Sequence, residues 1–240
     1  MKLVERFEAN TTGRDLIVGD IHGCFTKLRE ALADVKFDPE AGDRLFSVGD
    51  LVDRGPESPE SMDWVAKPWF HAVAGNHEDM AIRWPEGRMD TGNYIANGGG
   101  WNVSNTPEAS AAVSKCLALL PVAIELKTAN GLVGIVHAEC PFPSWQDFIA
   151  SLEDAATSNA MRNAIIDSAQ WSRERITSVD QTDVAGVIAV VVGHTPMLNF
   201  TSLGNVLYID TGGWLPRRHF TILDAATLRP ATATRVNCEA

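Results

Sequence analysis

The sequence is constrained most strongly by a series of short apolar runs that each end in a polar residue. The first three are residues 15–18 before Gly19-Asp20, residues 44–48 before Gly49-Asp50, and residues 70–74 before Gly75-Asn76. A helix is predicted over about residues 25–35, after the first run. A strand followed by glycine, a polar residue and a helix is typical of βαβ units. The pattern therefore predicts an α/β fold with ligands bound outside the carboxyl ends of the strands.

The second half of the chain repeats this pattern. Residues 122–126 and 132–136 flank Asn130-Gly131, which signals a hairpin turn, and the second run ends at His137. Residues 187–192 lead to Gly193-His194, and residues 206–209 lead to Asp210. Further strands are expected in the last forty residues.

Between these strands the sequence predicts helices over residues 108–120 and about 145–168. Residues 97–101 read Asn-Gly-Gly-Gly-Trp and are expected to form a loop, because glycine dominates them. No linker or internal repeat separates the halves, so one domain over residues 1–240 is expected.

Charge and cysteine content exclude several classes of function. The formal net charge of −11 argues against binding to nucleic acid or to an anionic membrane, because both require a basic surface. No apolar run is long enough to span a bilayer, and the first residues do not resemble a secretory signal. The four cysteines form no CxxC pair, which favours reduced thiols in a cytoplasmic protein. A monomer is expected.

Five predicted strand ends offer side chains that can bind metal ions, and His22 adds a sixth. The six are Asp20, His22, Asp50, Asn76, His137 and His194. Carboxylate, amide and imidazole donors without thiolate suit Mn²⁺, Fe or Zn²⁺. Six ligands are too many for one structural zinc ion but suit two divalent ions that share a carboxylate.

Each of these residues has a simpler explanation when it is considered alone. A single Gly-Asp after a strand usually marks a turn or a helix cap, and a single histidine is more often a hydrogen-bonded core residue than a ligand. Five independent strand ends of the same kind are hard to explain by turns. The joint pattern therefore favours a two-metal site over a set of unrelated turns.

Four motifs resemble those of a known superfamily. Gly19-Asp20-Ile21-His22-Gly23, Gly49-Asp50 with Asp53-Arg54-Gly55, Gly75-Asn76-His77-Glu78 and Gly193-His194 resemble the signature of the calcineurin-like metallophosphoesterases. Within that superfamily the chain resembles bacterial and phage serine/threonine protein phosphatases of the lambda phosphatase type, over nearly its whole length. The resemblance implies a β-sandwich of two mixed sheets flanked by helices, with metal ions at the carboxyl ends of strands.

The resemblance also implies a role for each matching residue. Asp20 and His22 would hold the first ion, Asp50 would bridge, and Asn76, His137 and His194 would hold the second. The ions would most often be manganese, with iron or zinc as alternatives, and a hydroxide between them would attack phosphorus. His77 would protonate the leaving oxygen, oriented by Asp53, and Arg54 and Arg173 would bind the phosphate.

Some of these roles have alternatives that the residues themselves leave open. Arg54 and Asp53 could form a surface ion pair, and Arg173 could be a solvated charge at a helix end, so only the resemblance gives Arg173 a role. Trp101 could belong to a loop beside the substrate or could simply pack a turn. His71 and His219 lie in apolar runs and are expected to be packed histidines.

The predicted function is the hydrolysis of phosphoserine and phosphothreonine in proteins, with phosphotyrosine as a further candidate substrate. Hydrolysis of symmetrical diadenosine tetraphosphate, or of another small phosphoester, is the alternative activity, because those enzymes share the first three motifs. A protein that kept the fold but lost catalysis would be expected to lack a ligand or the acid, and this sequence lacks neither.

Overall fold

The computed structural model describes residues 2–231 of the chain. Its strands are β1 Val4–Phe7, β2 Asp15–Val18, β3 Arg44–Ser47, β4 Phe70–Ala72, β5 Ala123–Thr128, β6 Gly131–Val136, β7 Ala189–Val192, β8 Thr201–Leu203, β9 Val206–Tyr208, β10 Ile222–Asp224 and β11 Arg229–Pro230. Its α-helices are α1 Phe25–Asp34, α2 Ser61–Val65, α3 Asn76–Arg83, α4 Thr91–Tyr94, α5 Gly100–Val103, α6 Pro107–Leu117, α7 Trp145–Glu153, α8 Asn159–Trp171 and α9 Glu174–Ser178.

The strands form two mixed sheets. The six-stranded sheet has the order β1-β5-β6-β7-β9-β8, and the five-stranded sheet has the order β11-β10-β2-β3-β4. Strands β2, β3 and β4 run parallel to one another, and so do β6, β7 and β9. This arrangement confirms the α/β class and the prediction of two mixed sheets flanked by helices.

The apolar core is divided into three clusters by the two sheets. In β2, Ile17 faces the other sheet, whereas its neighbours Leu16 and Val18 pack on the opposite side, as the two-residue repeat of a strand requires. The cluster between the sheets also contains Ile135 of β6 and Val191 of β7. All five side chains are fully buried, each worth roughly 1.5–3 kcal/mol of transfer free energy.

Helices cover the outer faces of both sheets. Leu28 of α1 and Leu117 of α6 pack in the cluster outside the five-stranded sheet. Phe148 of α7 and Ile165 of α8 pack in the cluster outside the six-stranded sheet. Because both sheets share one central core, the parallel strands of each can place their carboxyl ends at one common edge.

Two predictions of local structure differ from what is observed. Residues 97–101 are not a loop: a π-helical turn, Ile95–Gly99, continues directly into α5. Gly98 interrupts it with φ of 102°, and its Cα hydrogens face the main chain of Arg54 with no room for a side chain. The prediction was wrong because tertiary contacts, and not local propensity, fix this segment.

The predicted helical stretch over residues 145–168 is two helices. The hydroxyl of Ser158 accepts the N–H of Met161 and caps the start of α8. The carboxylate of Asp154 accepts the N–H of Ala156 in the turn after α7. Both are residues whose short polar side chains compete with helical hydrogen bonds, which explains the break.

Strand β1 was not predicted, and it pairs in parallel with β5 at the edge of the six-stranded sheet.

Cys24, Cys116 and Cys140 are free thiols, and Cys238 lies outside the described residues. None of the helices within residues 2–231 has both the length and the apolar character needed to cross a bilayer.

Candidate metal centre

The structure brings all six predicted ligands to one edge of the sandwich, and all are buried. Asp50 lies at the centre, with its Oδ1 3.3 Å from Nε2 of His137 and its Oδ2 3.5 Å from Nε2 of His22. Oδ1 of Asn76 lies 2.9 Å from Nε2 of His137 and 3.0 Å from Nδ1 of His194. Asp50 is therefore shared by two groups of possible ligand atoms.

In each of these groups the ligand atoms lie within 4.8 Å of one another. One group is His22, Asp50 and His77, and the other is Asp50, His137 and His194. Asp20 is farther from the first group, with its Oδ2 4.0 Å from Nε2 of His22. The second group contains only predicted ligands, whereas the first contains His77, which was predicted as the acid, in the place predicted for Asp20.

Backbone carbonyls fix which nitrogen of each histidine faces the centre. The contacts are His22 Nδ1 to the carbonyl of Val52 (3.0 Å), His137 Nδ1 to that of Val48 (2.7 Å) and His194 Nε2 to that of Trp171 (3.2 Å). A carbonyl only accepts, so each of these nitrogens carries the proton. The other nitrogen of each ring therefore presents a lone pair to the cluster, as metal-binding histidines do.

These lone pairs face other acceptors. Burial lowers the pKa of His22 and of His137, so both rings are neutral near pH 7. Their unprotonated nitrogens then face Asp50 oxygens at 3.3–3.5 Å, with no proton between the two acceptors. Acceptors held this close repel each other unless a cation lies between them. The donor set, which contains carboxylate, amide and imidazole but no thiolate, fits divalent ions such as Mn²⁺, Fe or Zn²⁺.

A further carboxylate, Asp210, extends the acidic side of the centre. Burial, and then the nearby Asp210 and Asp50, raise the pKa of Asp20 well above its usual value. Burial, opposed by the N–H of Gly212 and reinforced by Asp50, raises the pKa of Asp210 to about 6. Oδ2 of Asp210 is buried and has no hydrogen-bond partner within residues 2–231. The sequence pattern predicts no role for Asp210, although it follows a strand as the predicted ligands do.

His77 and Asp53 form a buried pair beside the cluster. Nδ1 of His77 lies 2.8 Å from Oδ2 of Asp53, and Asp53 is completely buried. Burial alone would lower the pKa of His77, but the carboxylates of Asp50 and Asp53 outweigh it and raise this pKa. A histidine with a raised pKa retains a proton near neutral pH and can donate it.

Two exposed arginines lie beside the centre. Arg54 donates to Nε2 of His22 at 3.0 Å, and its Nη2 lies 3.1 Å from Nε2 of His77, which can accept only while the His77 ring is neutral. Its guanidinium carbon lies 4.5 Å from the ring centre of Trp214, a contact that the sequence did not suggest. Arg173 donates to the carbonyl of His194 at 3.3 Å. Both guanidinium groups can therefore reach a phosphate that enters from solvent.

The backbone at this edge is strained. Five site residues that are not glycine have left-handed conformations, with φ of 46° at His22, 52° at Asp50, 70° at Asp53, 65° at Arg54 and 64° at His194. Each costs about 1–2 kcal/mol for a residue with a side chain. Such strain concentrates at functional sites because the surrounding structure holds it in place.

Glu78 holds the strained turn after β3. Its carboxylate accepts the N–H groups of Gly75, Asp50 and Leu51, each at 2.8 Å. Glu78 is completely buried, and burial together with Asp50 raises its pKa to about 7. Glu78 lies in the first turn of α3, where a carboxylate favours the helix dipole. The structure adds a larger role, because Glu78 ties the start of α3 to the Asp50 turn.

Replacing Glu78 by alanine is expected to lower the free energy of unfolding by at least about 3 kcal/mol, since each unsatisfied buried N–H costs about 1 kcal/mol or more. Urea denaturation of the ion-free protein measures this loss. Glu86→Ala is the matched control, because Glu86 is exposed and its carboxylate accepts from the exposed Arg88. Equal unfolding free energies for the two variants would contradict the role of Glu78.

Comparisons with known proteins agree with this geometry. The profile described as calcineurin-like phosphoesterase matches residues 14–209. Serine/threonine-protein phosphatase 1 of Salmonella typhimurium is 34% identical over 214 residues, which cover 88% of this chain and 92% of that protein. The symmetrical bis(5'-nucleosyl)-tetraphosphatase of Serratia proteamaculans is 45% identical over 64 residues, or 26% of this chain and 22% of that protein.

A solved structure shows the same fold. The crystal structure of a cold-active protein-tyrosine phosphatase from a psychrophilic Shewanella species has a TM-score of 0.59 at 17% identity, and the match covers 94% of this chain and 78% of that one. The profile match spans most of the chain, and the Salmonella relative is similar over nearly its whole length. The chain therefore belongs to the calcineurin-like phosphoesterase family, and it is a phosphoester hydrolase.

Proposed function

We propose that residues 1–240 form one catalytic domain that hydrolyses phosphoserine and phosphothreonine esters in proteins with the help of two divalent metal ions. The observation that carries this proposal is the pair of ligand groups that share Asp50, with His77 on one side and exposed arginines around them. Catalysis of phosphate monoester hydrolysis requires a strongly cationic site that stabilises the negative charge of the phosphate and a proton donor for the leaving oxygen.

In this proposal Asp20 and His22 would hold one ion, Asn76, His137 and His194 would hold the other, and Asp50 would serve both. The fixed ring tautomers support this assignment, because each leaves a lone pair facing the centre. When bound, such ions lower the pKa of water toward neutrality and neutralise phosphate charge. Manganese is the proposed native metal, and iron and zinc are the alternatives.

The remaining residues act on the phosphate itself. Arg54 and Arg173 bind its non-bridging oxygens, and His77 gives the proton on Nε2 to the leaving alkoxide. Asp53 accepts from Nδ1 of His77 and fixes the orientation of the ring. The exposed guanidinium of Arg54 lies 3.0 Å from Nε2 of His22 and 3.1 Å from Nε2 of His77, so it must turn toward the phosphate when an ion and the substrate bind there.

The extent of the similarities favours a protein substrate over a dinucleotide. The Salmonella serine/threonine-protein phosphatase aligns over 92% of its length. The Serratia tetraphosphatase aligns over 22% of its length, so most of that protein falls outside the match. Hydrolysis of symmetrical diadenosine tetraphosphate is the second candidate, because the shared segment reaches 45% identity.

A substrate panel tests the proposal. The purified protein is loaded in turn with Mn²⁺, Fe²⁺ and Zn²⁺, metal content is measured on the same samples, and each sample is assayed on phosphoserine, phosphothreonine and phosphotyrosine peptides and on diadenosine tetraphosphate. Release of inorganic phosphate from phosphoserine and phosphothreonine peptides, fastest with Mn²⁺, is expected. Asp50→Asn, prepared identically, controls for contaminating phosphatases. Turnover of the dinucleotide alone would assign the second activity, and inertness toward every ester would refute both.

A further inference from the structure

The glycine-rich segment, residues 94–102, closes over the turn that carries Asp53 and Arg54. The main-chain N–H of Arg54 donates to the carbonyl of Gly98 at 3.4 Å. A side chain at Gly98 would collide with the Arg54 main chain, and one at Gly99 would collide with the ring of Tyr94. The segment is therefore packed against the turn without intervening space, so its side chains meet Asp53 in a fixed orientation.

Both oxygens of the buried Asp53 carboxylate have partners. Oδ2 faces Nδ1 of His77 at 2.8 Å. Oδ1 accepts the indole N–H of Trp101 at 2.7 Å and the hydroxyl of Tyr94 at 3.3 Å. The amide of Asn102 in turn donates to the Tyr94 hydroxyl at 3.3 Å. The glycine-rich segment thus supplies every donor that Oδ1 has within the described residues.

A carboxylate that is tied at one oxygen alone can rotate about its Cβ–Cγ bond. With Oδ1 held by the short bond from Trp101, rotation of Asp53 would break that bond and leave a buried charge poorly compensated. The plane of the carboxylate is thereby fixed, and so is the direction in which the His77 ring presents Nε2. The left-handed backbone of Asp53 and Arg54 adds strain that these contacts must hold.

We propose that Trp101, assisted by Tyr94, is a positioning residue that holds Asp53 in the orientation needed for His77 to protonate the leaving oxygen. The inference rests on the proposed phosphomonoesterase function. When the ester P–O bond breaks, its electron pair stays on the leaving oxygen, which takes the proton from Nε2 of His77. Asp53 keeps accepting from Nδ1 and touches no substrate atom.

Substrates that differ in their need for this proton provide the test. A serine alkoxide must be protonated as it leaves, whereas the nitrophenolate of para-nitrophenyl phosphate is stable without a proton. Trp101→Phe removes the indole N–H and keeps an aromatic ring, and Tyr94→Phe removes only the hydroxyl. Trp145→Phe is the matched control. The buried Trp145 also donates its indole N–H to a carboxylate, that of Glu125 at 3.1 Å, and it lies in the core cluster outside the six-stranded sheet.

In Mn²⁺-loaded Trp101→Phe, kcat on a phosphoserine peptide is expected to fall about tenfold or more, and kcat on para-nitrophenyl phosphate less than about threefold. Tyr94→Phe is expected to shift the same ratio in the same direction by a smaller factor, which keeps the test usable if Trp101→Phe does not fold. Trp145→Phe is expected to lower thermal stability and leave the ratio within about twofold of the wild-type value. Equal losses on both substrates in the Trp101 and Tyr94 variants would show a merely structural role and overturn the inference.

A second readout does not depend on turnover. In the ion-free protein, the Nδ1 proton of His77 can be observed by ¹H–¹⁵N NMR, and Trp101→Phe is expected to shift its resonance and speed its exchange with water. An unchanged proton would overturn the inference. If the wild-type protein hydrolyses neither ester, the proposed function fails, and this measurement still decides whether Trp101 positions the pair.

Discussion

Replacing His77 by asparagine is expected to lower kcat on a phosphoserine peptide by a factor of about 10² to 10⁴, the range that general acid–base catalysis contributes. The variant loses the only imidazole whose Nδ1 faces Asp53 within residues 2–231, and with it the proton on Nε2. Metal content is expected to stay close to that of the wild type, because the proposed ligands are unchanged. Steady-state kinetics and elemental analysis of the same samples measure both quantities.

His71→Asn is the matched control for this experiment. His71 lies in β4 with its ring against Phe7 and Phe46, and the same chemical change there leaves the metal centre intact. Its kcat is expected to remain within about twofold of the wild-type value. A His77 variant as active as the His71 variant would contradict the acid role. Loss of metal from the His77 variant would show that His77 is a ligand, as its position beside His22 and Asp50 permits.

Replacing Asp50 by asparagine is expected to lower kcat/KM by about 10³ or more, because the two proposed ions contribute several kcal/mol of charge stabilisation. Both carboxylate oxygens of Asp50 face histidine nitrogens, one in each ligand group. An amide keeps the shape but has no charge and only one acceptor oxygen. At least one ion per chain is therefore expected to be lost.

Calorimetry of the Asp50 variant separates metal binding from catalysis. An ion at one hundred times its Kd stabilises a folded protein by about 2.7 kcal/mol, so Mn²⁺ is expected to raise the Tm of the wild type clearly. The rise is expected to shrink strongly in Asp50→Asn and to persist in Asp63→Asn, whose carboxylate is exposed on α2. Two tightly bound ions in the Asp50 variant would refute the bridging assignment.

The strand ends of the centre could be predicted because each combines signals that are local in sequence. An apolar run, a glycine and a polar residue occupy about seven consecutive positions before Asp20, Asp50 and Asn76. Parallel pairing in register then places these residues at one edge, as the Val18–Ser47 and Ser47–Ala72 pairs do. The local motifs and the parallel pairing of their strands were therefore enough to predict that most of the candidate ligands lie close together.

The parts that were missed depend on contacts between distant segments. The motif that contains Glu78 predicts no role for it, yet its carboxylate accepts the N–H of Asp50, 28 residues away. The indole of Trp101 reaches Asp53 across 48 residues, and Trp214 lies against Arg54 from the far end of the chain. Contacts between residues this far apart cannot be predicted from neighbouring positions in the sequence. The role of Trp101 was therefore left open, and no role was predicted for Trp214.

The left-handed residues of the metal centre have a consequence for anyone who engineers this enzyme. Glycine would relax the backbone at His22, Asp50, Asp53, Arg54 and His194, and a search guided by heat resistance alone would be drawn to these positions. Every such change deletes a side chain that the proposed chemistry uses. Substitutions that raise thermal stability at this edge of the sandwich therefore lower turnover. Stabilising substitutions should be sought in the apolar core clusters and on the surface helices instead.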